Sequence, residues 1–206
     1  YDSTGGDFWT NNDYWKSEYP VALWYGVTVE NGRVSGLFLE NNNLEGKLPG
    51  DFYSLTGLRN FTIRENNIYG ELMAEIGNLT ELQSFFAEGN NFEGIIPTAI
   101  GNCNLSFFFV NSNNFEGKIP EEICYNPLIE MTLAGNNFTA ESCPAMLCLN
   151  EKQITFHDDV WITQKDGFSL LEGCGIMPSA EPVLEQDSLA LVALYDSTAG
   201  DLWNNN

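Results

Sequence analysis

Residues able to do covalent or acid–base chemistry are few, and their arrangement argues against catalysis. The chain of 206 residues holds one imidazole, His157, in the run His157-Asp158-Asp159. Such a trio could in principle bind a metal or move a proton, but neighbours on a strand alternate faces and cannot all converge on one ion. A solvated turn fits it better. Lys and Arg number 8 against 29 Asp and Glu, so Schiff-base and general-base roles are thinly supplied. G-x-S-x-G, Walker, H-E-x-x-H and EF-hand patterns do not occur. The sequence reads as non-catalytic, with no cofactor and no metal centre.

Charge removes further classes. A net charge of −21 leaves no basic surface to neutralise a phosphate backbone or an anionic lipid surface, so nucleic acid is not an expected partner. Apolar runs fall far short of the roughly 20 residues that span a bilayer, so membrane insertion is not expected. At 43% hydrophobic residues the chain can still bury a substantial core.

What remains are side chains that brace and touch: five Cys, four N-x-S/T sequons and several Phe-rich stretches. The elements that must position them repeat. The frame Val34-x-x-Leu37-x-Leu39-x-x-Asn42-x-Leu44-x-Gly46-x-Leu48-Pro49 returns four times. The second copy has Leu58, Phe61, Ile63, Asn66, Ile68, Gly70 and Leu72. The third has Leu82, Phe85, Ala87, Asn90, Phe92, Gly94, Ile96 and Pro97. The fourth has Leu105, Phe108, Val110, Asn113, Phe115, Gly117, Ile119 and Pro120, and the fifth, with Leu128, Met131, Leu133, Asn136 and Phe138, decays after Ala140. The Asn steps by 24, 24, 23 and 23 residues.

This frame resembles the leucine-rich repeat, in the plant-type subclass marked by L-x-G-x-I-P, over about Val34 to Cys148. The resemblance implies an α/β fold: a solenoid of five coils with a parallel β-sheet on its concave face and a cap at each end. Independently of the name, apolar residues at frame positions one, four and six point inward from a short strand, and successive strands pair at about 4.8 Å. Asn42, Asn66, Asn90, Asn113 and Asn136 form a structural ladder, their amides serving turn backbone that would otherwise be buried unpaired. Gly46, Gly70, Gly94 and Gly117 bend the chain toward the convex side. The Pro after each bend is replaced by Met73 in the second coil, where looser geometry is expected.

Solenoid ends expose apolar side chains and a strand edge, so residues 1–33 read as an N-terminal cap and 149–174 as a C-terminal cap. The former resembles the caps of such repeats in algal, protist and bacterial surface proteins. In that family a Cys pair commonly braces the segment; here Ala22 or Leu23 and Val29 stand in those places, and packing by Trp9, Trp15 and Trp24 must substitute. Residues 175–186 read as a linker. Tyr195-Asp-Ser-Thr-Ala-Gly-Asp-Leu-Trp203-Asn-Asn-Asn206 repeats Tyr1 to Asn12 at nine of twelve positions, and Asp187 followed by Ser188 to Tyr195 reads as an N-capped helix. Residues 187–206 are thus expected to begin a further module, making the chain an excerpt from a tandem array.

Cys124 and Cys148 occupy the same coil position one turn apart and are expected to form a disulfide. Cys143 and Cys174 are expected to pin the C-terminal cover, with strands around Ile154–Phe156 and Val160–Thr163, while Cys103 takes a Leu position as a buried free thiol. Asn60, Asn78, Asn104 and Asn137 are the glycosylation candidates, with Asn78 the most accessible and Asn137 the weakest if its side chain turns inward.

Frame positions two, three, five, seven and eight face the concave side, and position five reads Phe38, Thr62, Phe86, Phe109, Thr132, with Phe107 alongside. Outward Phe suits either a docking surface or mutual packing that stiffens the sheet. Arg59, Arg64, Glu65, Glu88, Asn111 and Glu130 flank this surface; Phe38, Arg59, Thr62, Arg64, Phe86, Glu88, Phe107 and Phe109 are the binding candidates. The leading expectation is an extracellular structural or adhesive protein, secreted or on a cell surface or matrix. It would carry N-linked glycans, with neighbouring copies of the module packing into a fibre. The alternative is a recognition ectodomain binding a peptide or glycan on the aromatic face.

Overall fold

The computed structural model describes residues 1–152, 154–156, 164–166 and 169–176. The expectations for His157–Asp159, for a strand at 160–163, for the linker beyond Ile176 and for the restarted module at 187–206 lie outside these residues. Ile176 is itself buried in the core, so the C-terminal cover runs at least that far.

A hairpin opens the main sheet. Its strands, β1 (Val27–Glu30) and β2 (Arg33–Phe38), pair antiparallel around Asn31 and Gly32, both at positive φ as a tight primed turn requires. The remaining strands alternate between the two faces of a solenoid: β3 (Glu45–Gly46), β4 (Asn60–Thr62), β5 (Asn67–Glu71), β6 (Ser84–Phe86), β7 (Asn91–Gly94), β8 (Phe107–Phe109), β9 (Asn114–Gly117), β10 (Glu130–Thr132), β11 (Asn137–Phe138) and β12 (Thr155–Phe156). The concave sheet runs β1-β2-β4-β6-β8-β10-β12, parallel after the hairpin, and a smaller sheet on the far side of the Asn turns runs β11-β9-β7-β5-β3. Pairing is residue for residue: Leu37, Phe61, Phe85, Phe108 and Met131 form one row. Placing β1 antiparallel against β2 covers the edge that a bare first coil would expose.

The interior is one column. Phe61, Phe85 and Phe108 succeed each other at 5.5 Å between ring centroids, and Phe92, Phe115 and Phe138 stack at 5.8 and 6.3 Å. At the front, Tyr1, Trp9, Trp15 and Trp24 touch in sequence, with centroids 5.0 to 6.2 Å apart. The indole N–H groups of Trp9, Trp15 and Trp24 donate to the carbonyls of Thr4, Tyr25 and Tyr19 respectively, so the cap is held by rings whose polar ends are also paired.

Each ladder Asn reaches back one coil. The Asn66 carboxamide oxygen accepts from the Leu44 N–H at 2.9 Å, while its NH2 donates to the carbonyls of Leu39 and Ile63, both at 2.8 Å. Asn90, Asn113 and Asn136 repeat the pattern toward Ile68, Phe92 and Phe115, and Asn42 toward both backbone polar groups of Asn11 in the cap. Gln164 adds a final rung that the 23–24-residue frame does not contain: its side-chain oxygen accepts from the Phe138 N–H at 3.0 Å. Asn126, buried between the convex turns, does the same for Leu105.

Convex turns are short 3-10 segments at Gly50–Ser54, Ala74–Asn78, Thr98–Asn102 and Glu121–Tyr125. In the fifth coil this turn gives way to α1 (Cys143–Glu151), with α2 (Leu170–Gly173) beyond it. Disulfides join Cys124 to Cys148, with Cα atoms 6.4 Å apart, and Cys143 to Cys174 at 5.1 Å. Cys103 is buried with its thiol toward the Ile76 carbonyl, and desolvation pushes its pKa up to about 12.

The looser geometry expected at Met73 is absent. Met73 has φ −73° and ψ 153°, against −73° and 156° at Pro49. The N–H that Met carries and Pro lacks donates to the buried Tyr53 hydroxyl at 3.1 Å. Tyr53→Phe should therefore cost about 1 kcal/mol by leaving this donor unpaired. The cost should shrink markedly in a Met73→Pro background; urea midpoints showing equal losses in both backgrounds would refute the pairing.

Candidate functional site

Strict register turns frame position five into a row across the concave sheet. Phe38, Thr62, Phe86, Phe109 and Thr132 lie side by side on β2, β4, β6, β8 and β10. Because side chains alternate, this row faces away from the core that holds the adjacent Phe61 and Phe85. Phe38 is 41% exposed and Phe86, Phe107 and Phe109 are half-buried. The Phe86 ring lies 4.8 Å from Phe109 and 6.3 Å from Phe107. The rings therefore support each other and still present a surface.

The two threonines depart from expectation. Thr62 is 7% exposed and Thr132 is similarly buried. Thr62 is short and stands between Phe38 and Phe86, so it forms the floor of a step between the two rings. Thr132 donates its hydroxyl to the Asn111 carboxamide oxygen at 2.6 Å, which anchors the flank beside Phe109. Ile129, at frame position two and outside the candidates read from the sequence, is 58% exposed and adds an aliphatic side chain to the apolar area on the Phe107 side.

Charged residues border the row. Arg59, expected to be available to a ligand, is held by two carboxylates, Glu30 at 2.6 Å and Glu81 at 3.1 Å, and Arg33 meets Glu81 at 3.4 Å. These exposed pairs contribute little to stability, but they fix the polarity of that border. On the opposite border, frame position seven reads Glu40, Arg64, Glu88, Asn111 and Ala134. Arg64 lies 3.9 Å from Glu88, too far for a close hydrogen-bonded pair. Among the described residues, one carboxylate oxygen of Glu40 and one of Glu88 are buried without a hydrogen-bond partner. Glu40 was not among the sequence candidates, although the position-seven column could have pointed to it. Beyond this border a polar groove of about 480 Å3 is lined by Thr10, Asn41, Asn43, Glu65, Asn67 and Gly89.

The sequon residues fall in different settings. Asn78, Asn104 and Asn137 are exposed, while Asn60 is half-buried within β4 on the concave sheet, where a glycan would cover the face. Among the described residues no group of three His, Cys, Asp or Glu could hold a metal ion. Nor, among them, is any helix long and apolar enough to cross a membrane.

Comparison with known proteins agrees with this geometry. The Leucine Rich Repeat family model matches residues 33–55 and 81–103. No curated protein matches the sequence. Among solved structures, the BIR2 ectodomain of Arabidopsis thaliana shares 22% identity over 67% of this chain and 77% of that one, with a TM-score of 0.62. The BIR3–SERK2 complex of the same plant gives 25% identity over 59% of this chain and 68% of that one, at 0.55. The Arabidopsis receptor kinase HAESA ectodomain, in complex with an N-terminally extended IDA peptide hormone ligand, gives 25% over 62% of this chain and 23% of that one, also at 0.55. The fold is a leucine-rich-repeat solenoid of the kind seen in plant receptor ectodomains.

Glu88 supplies a pH test. Its pKa is raised above the ordinary 4.5 chiefly by burial, opposed by a backbone hydrogen bond and by Arg64, with Glu65 and Glu40 adding to the shift. A carboxyl that holds its proton more tightly when folded contributes stability below its ordinary pKa and loses it as pH rises through the folded value. Glu88→Gln should therefore melt higher than the parent at pH 7, with the gap closing toward pH 4. A variant that melts lower at pH 7 would mean that the backbone hydrogen bond to the Glu88 carboxylate and the Arg64 contact together outweigh desolvation.

Proposed function

We propose that the concave face is a recognition surface for an extended peptide or a segment of a partner protein, outside the cell, and that the chain performs no catalysis. The observation that carries this reading is the contiguous, half-open set of Phe38, Phe86, Phe107 and Phe109 on a rigid sheet. Aromatic rings held by their neighbours gain by being covered and lose little entropy in the process. Support comes from the neighbouring folds, since the HAESA structure carries a peptide hormone and the BIR3 structure a second protein. The ligand favoured is basic. A chain of net charge −21, with carboxylate oxygens of Glu40 and Glu88 buried and unpaired beside the rings, attracts cations and can satisfy them.

Two disulfides and four sequons fit an oxidising, glycosylating route, with Asn78, Asn104 and Asn137 the accessible acceptors. The likeness of residues 1–33 to caps of algal, protist and bacterial surface proteins points the same way.

A displayed peptide library panned on the protein should enrich Lys- or Arg-bearing sequences with apolar anchors. Binding should weaken about tenfold or more in Phe86→Ala, and with added salt, while the far-ultraviolet spectrum stays unchanged. Enrichment of acidic sequences, or binders indifferent to Phe86→Ala, would defeat the reading. A second reading rests on the motif repeated at Tyr195: modules in tandem would pack into a filament. Micrographs of native material showing beads about every 50 Å, on the order set by stacked strands, would favour it.

A further inference from the structure

Of the four sequon residues, Asn60 alone lies on the concave sheet, and its surroundings differ from the rest of that sheet. Frame position three reads Gly36, Asn60, Ser84, Phe107 and Glu130 across β2, β4, β6, β8 and β10. The row is bulky at Phe107 and Glu130, but a glycine and a serine flank Asn60. Gly36 is not in the left-handed region. What it supplies is room, since a Cβ there would lie 2.6 Å from Phe38 Cε2. The Phe38 ring therefore leans over Gly36, next to the Asn60 side chain on the adjoining strand. Phe86, on the other side, leans toward the fourth coil, 4.8 Å from Phe109. The two rings part over Asn60, Thr62 and Ser84.

Asn60 is half-buried, and its carboxamide makes no hydrogen bond among the described residues. Thr62 completes the acceptor pattern from the same face of β4. An amide without a partner, small neighbours on both sides and a ring 41% exposed together form a seat for a sugar. The C–H face of a pyranose covers an aromatic ring as other apolar surface does, while its hydroxyls stay in water.

We propose that Asn60 carries an N-linked glycan whose first N-acetylglucosamine rests on the Phe38 ring, so that this half of the concave face is covered by the protein's own sugar. In the transfer, a C–N bond forms between Asn60 Nδ2 and the anomeric carbon of a lipid-linked oligosaccharide. The bond from that carbon to the diphosphate oxygen breaks, and the amide proton leaves with the released diphosphate. For recognition, and resting on the reading of the concave face given above, the ligand's seat narrows to Phe86, Phe107, Phe109 and Ile129.

The test uses the full chain secreted from a glycosylating eukaryotic cell. Glycopeptide mass spectrometry should find Asn60 occupied. Under native conditions, peptide N-glycosidase should release the Asn60 glycan about threefold faster from Phe38→Ala than from the parent, with release at Asn78 unchanged. Phe38→Tyr, which keeps the ring, should keep the parent's rate. An unoccupied Asn60, equal release from parent and Phe38→Ala, or an acceleration of the same size at Asn78 would each overturn the proposal. These readouts need no ligand, so failure to find a binding peptide would count against the recognition reading alone. Peptides selected on the glycosylated protein should weaken about tenfold in Phe109→Ala and be indifferent to Phe38→Ala; dependence on Phe38 would overturn the narrowed seat.

Discussion

Everything in this molecule depends on pairing the backbone that turns inward at the end of each strand. A solenoid coil must bend where no water can reach, and the N–H and C=O groups there would each cost about 1 to 3 kcal/mol if left unmade. A carboxamide is suited to the task because it offers an acceptor and two donors from one short side chain. Asn66 serves Leu44 and Leu39 of the coil before it as well as Ile63 of its own. That bond set admits no slip between coils, and it dictates both the stacked rings inside and the ordered row of Phe and Thr outside.

What could be read from the residues is what answers to the backbone. Asn, Gly and the inward Leu and Phe recur because each coil makes the same demand, so five coils, their strands and the facing of position five were legible. Features set by a neighbour's size or reach were not. Thr62 is buried only because Phe38 and Phe86 rise on either side of it. Met73 keeps the conformation of a proline because a tyrosine hydroxyl twenty residues earlier takes its spare N–H. Gln164 escapes any periodic reading: it belongs to a non-repeating cap, and its longer side chain reaches the same backbone from a different path.

The candidate site shows the same division. Its aromatic row was visible in the spacing, but the roles of its charged borders depend on distances. Arg59 is engaged by Glu30 and Glu81 and contributes a fixed border, whereas Glu40 and Glu88 each keep one buried oxygen without a hydrogen bond among the described residues. The face thus combines a stiff apolar centre with one satisfied edge and one unsatisfied edge. In the proposed recognition role, such a surface would discriminate by charge as much as by shape.

The ladder also has a direction in time. Since each amide completes the coil before it, a chain emerging N-terminus first, from a ribosome or a translocation pore, finishes every coil only when the next one's asparagine arrives. The growing end then carries one open socket. Gln164 and the helices braced by Cys143–Cys174 come last, so the final socket stays open until the cover is made. A nascent chain paused between Asn136 and Gln164 would hold four closed coils and one still exposed to chaperones.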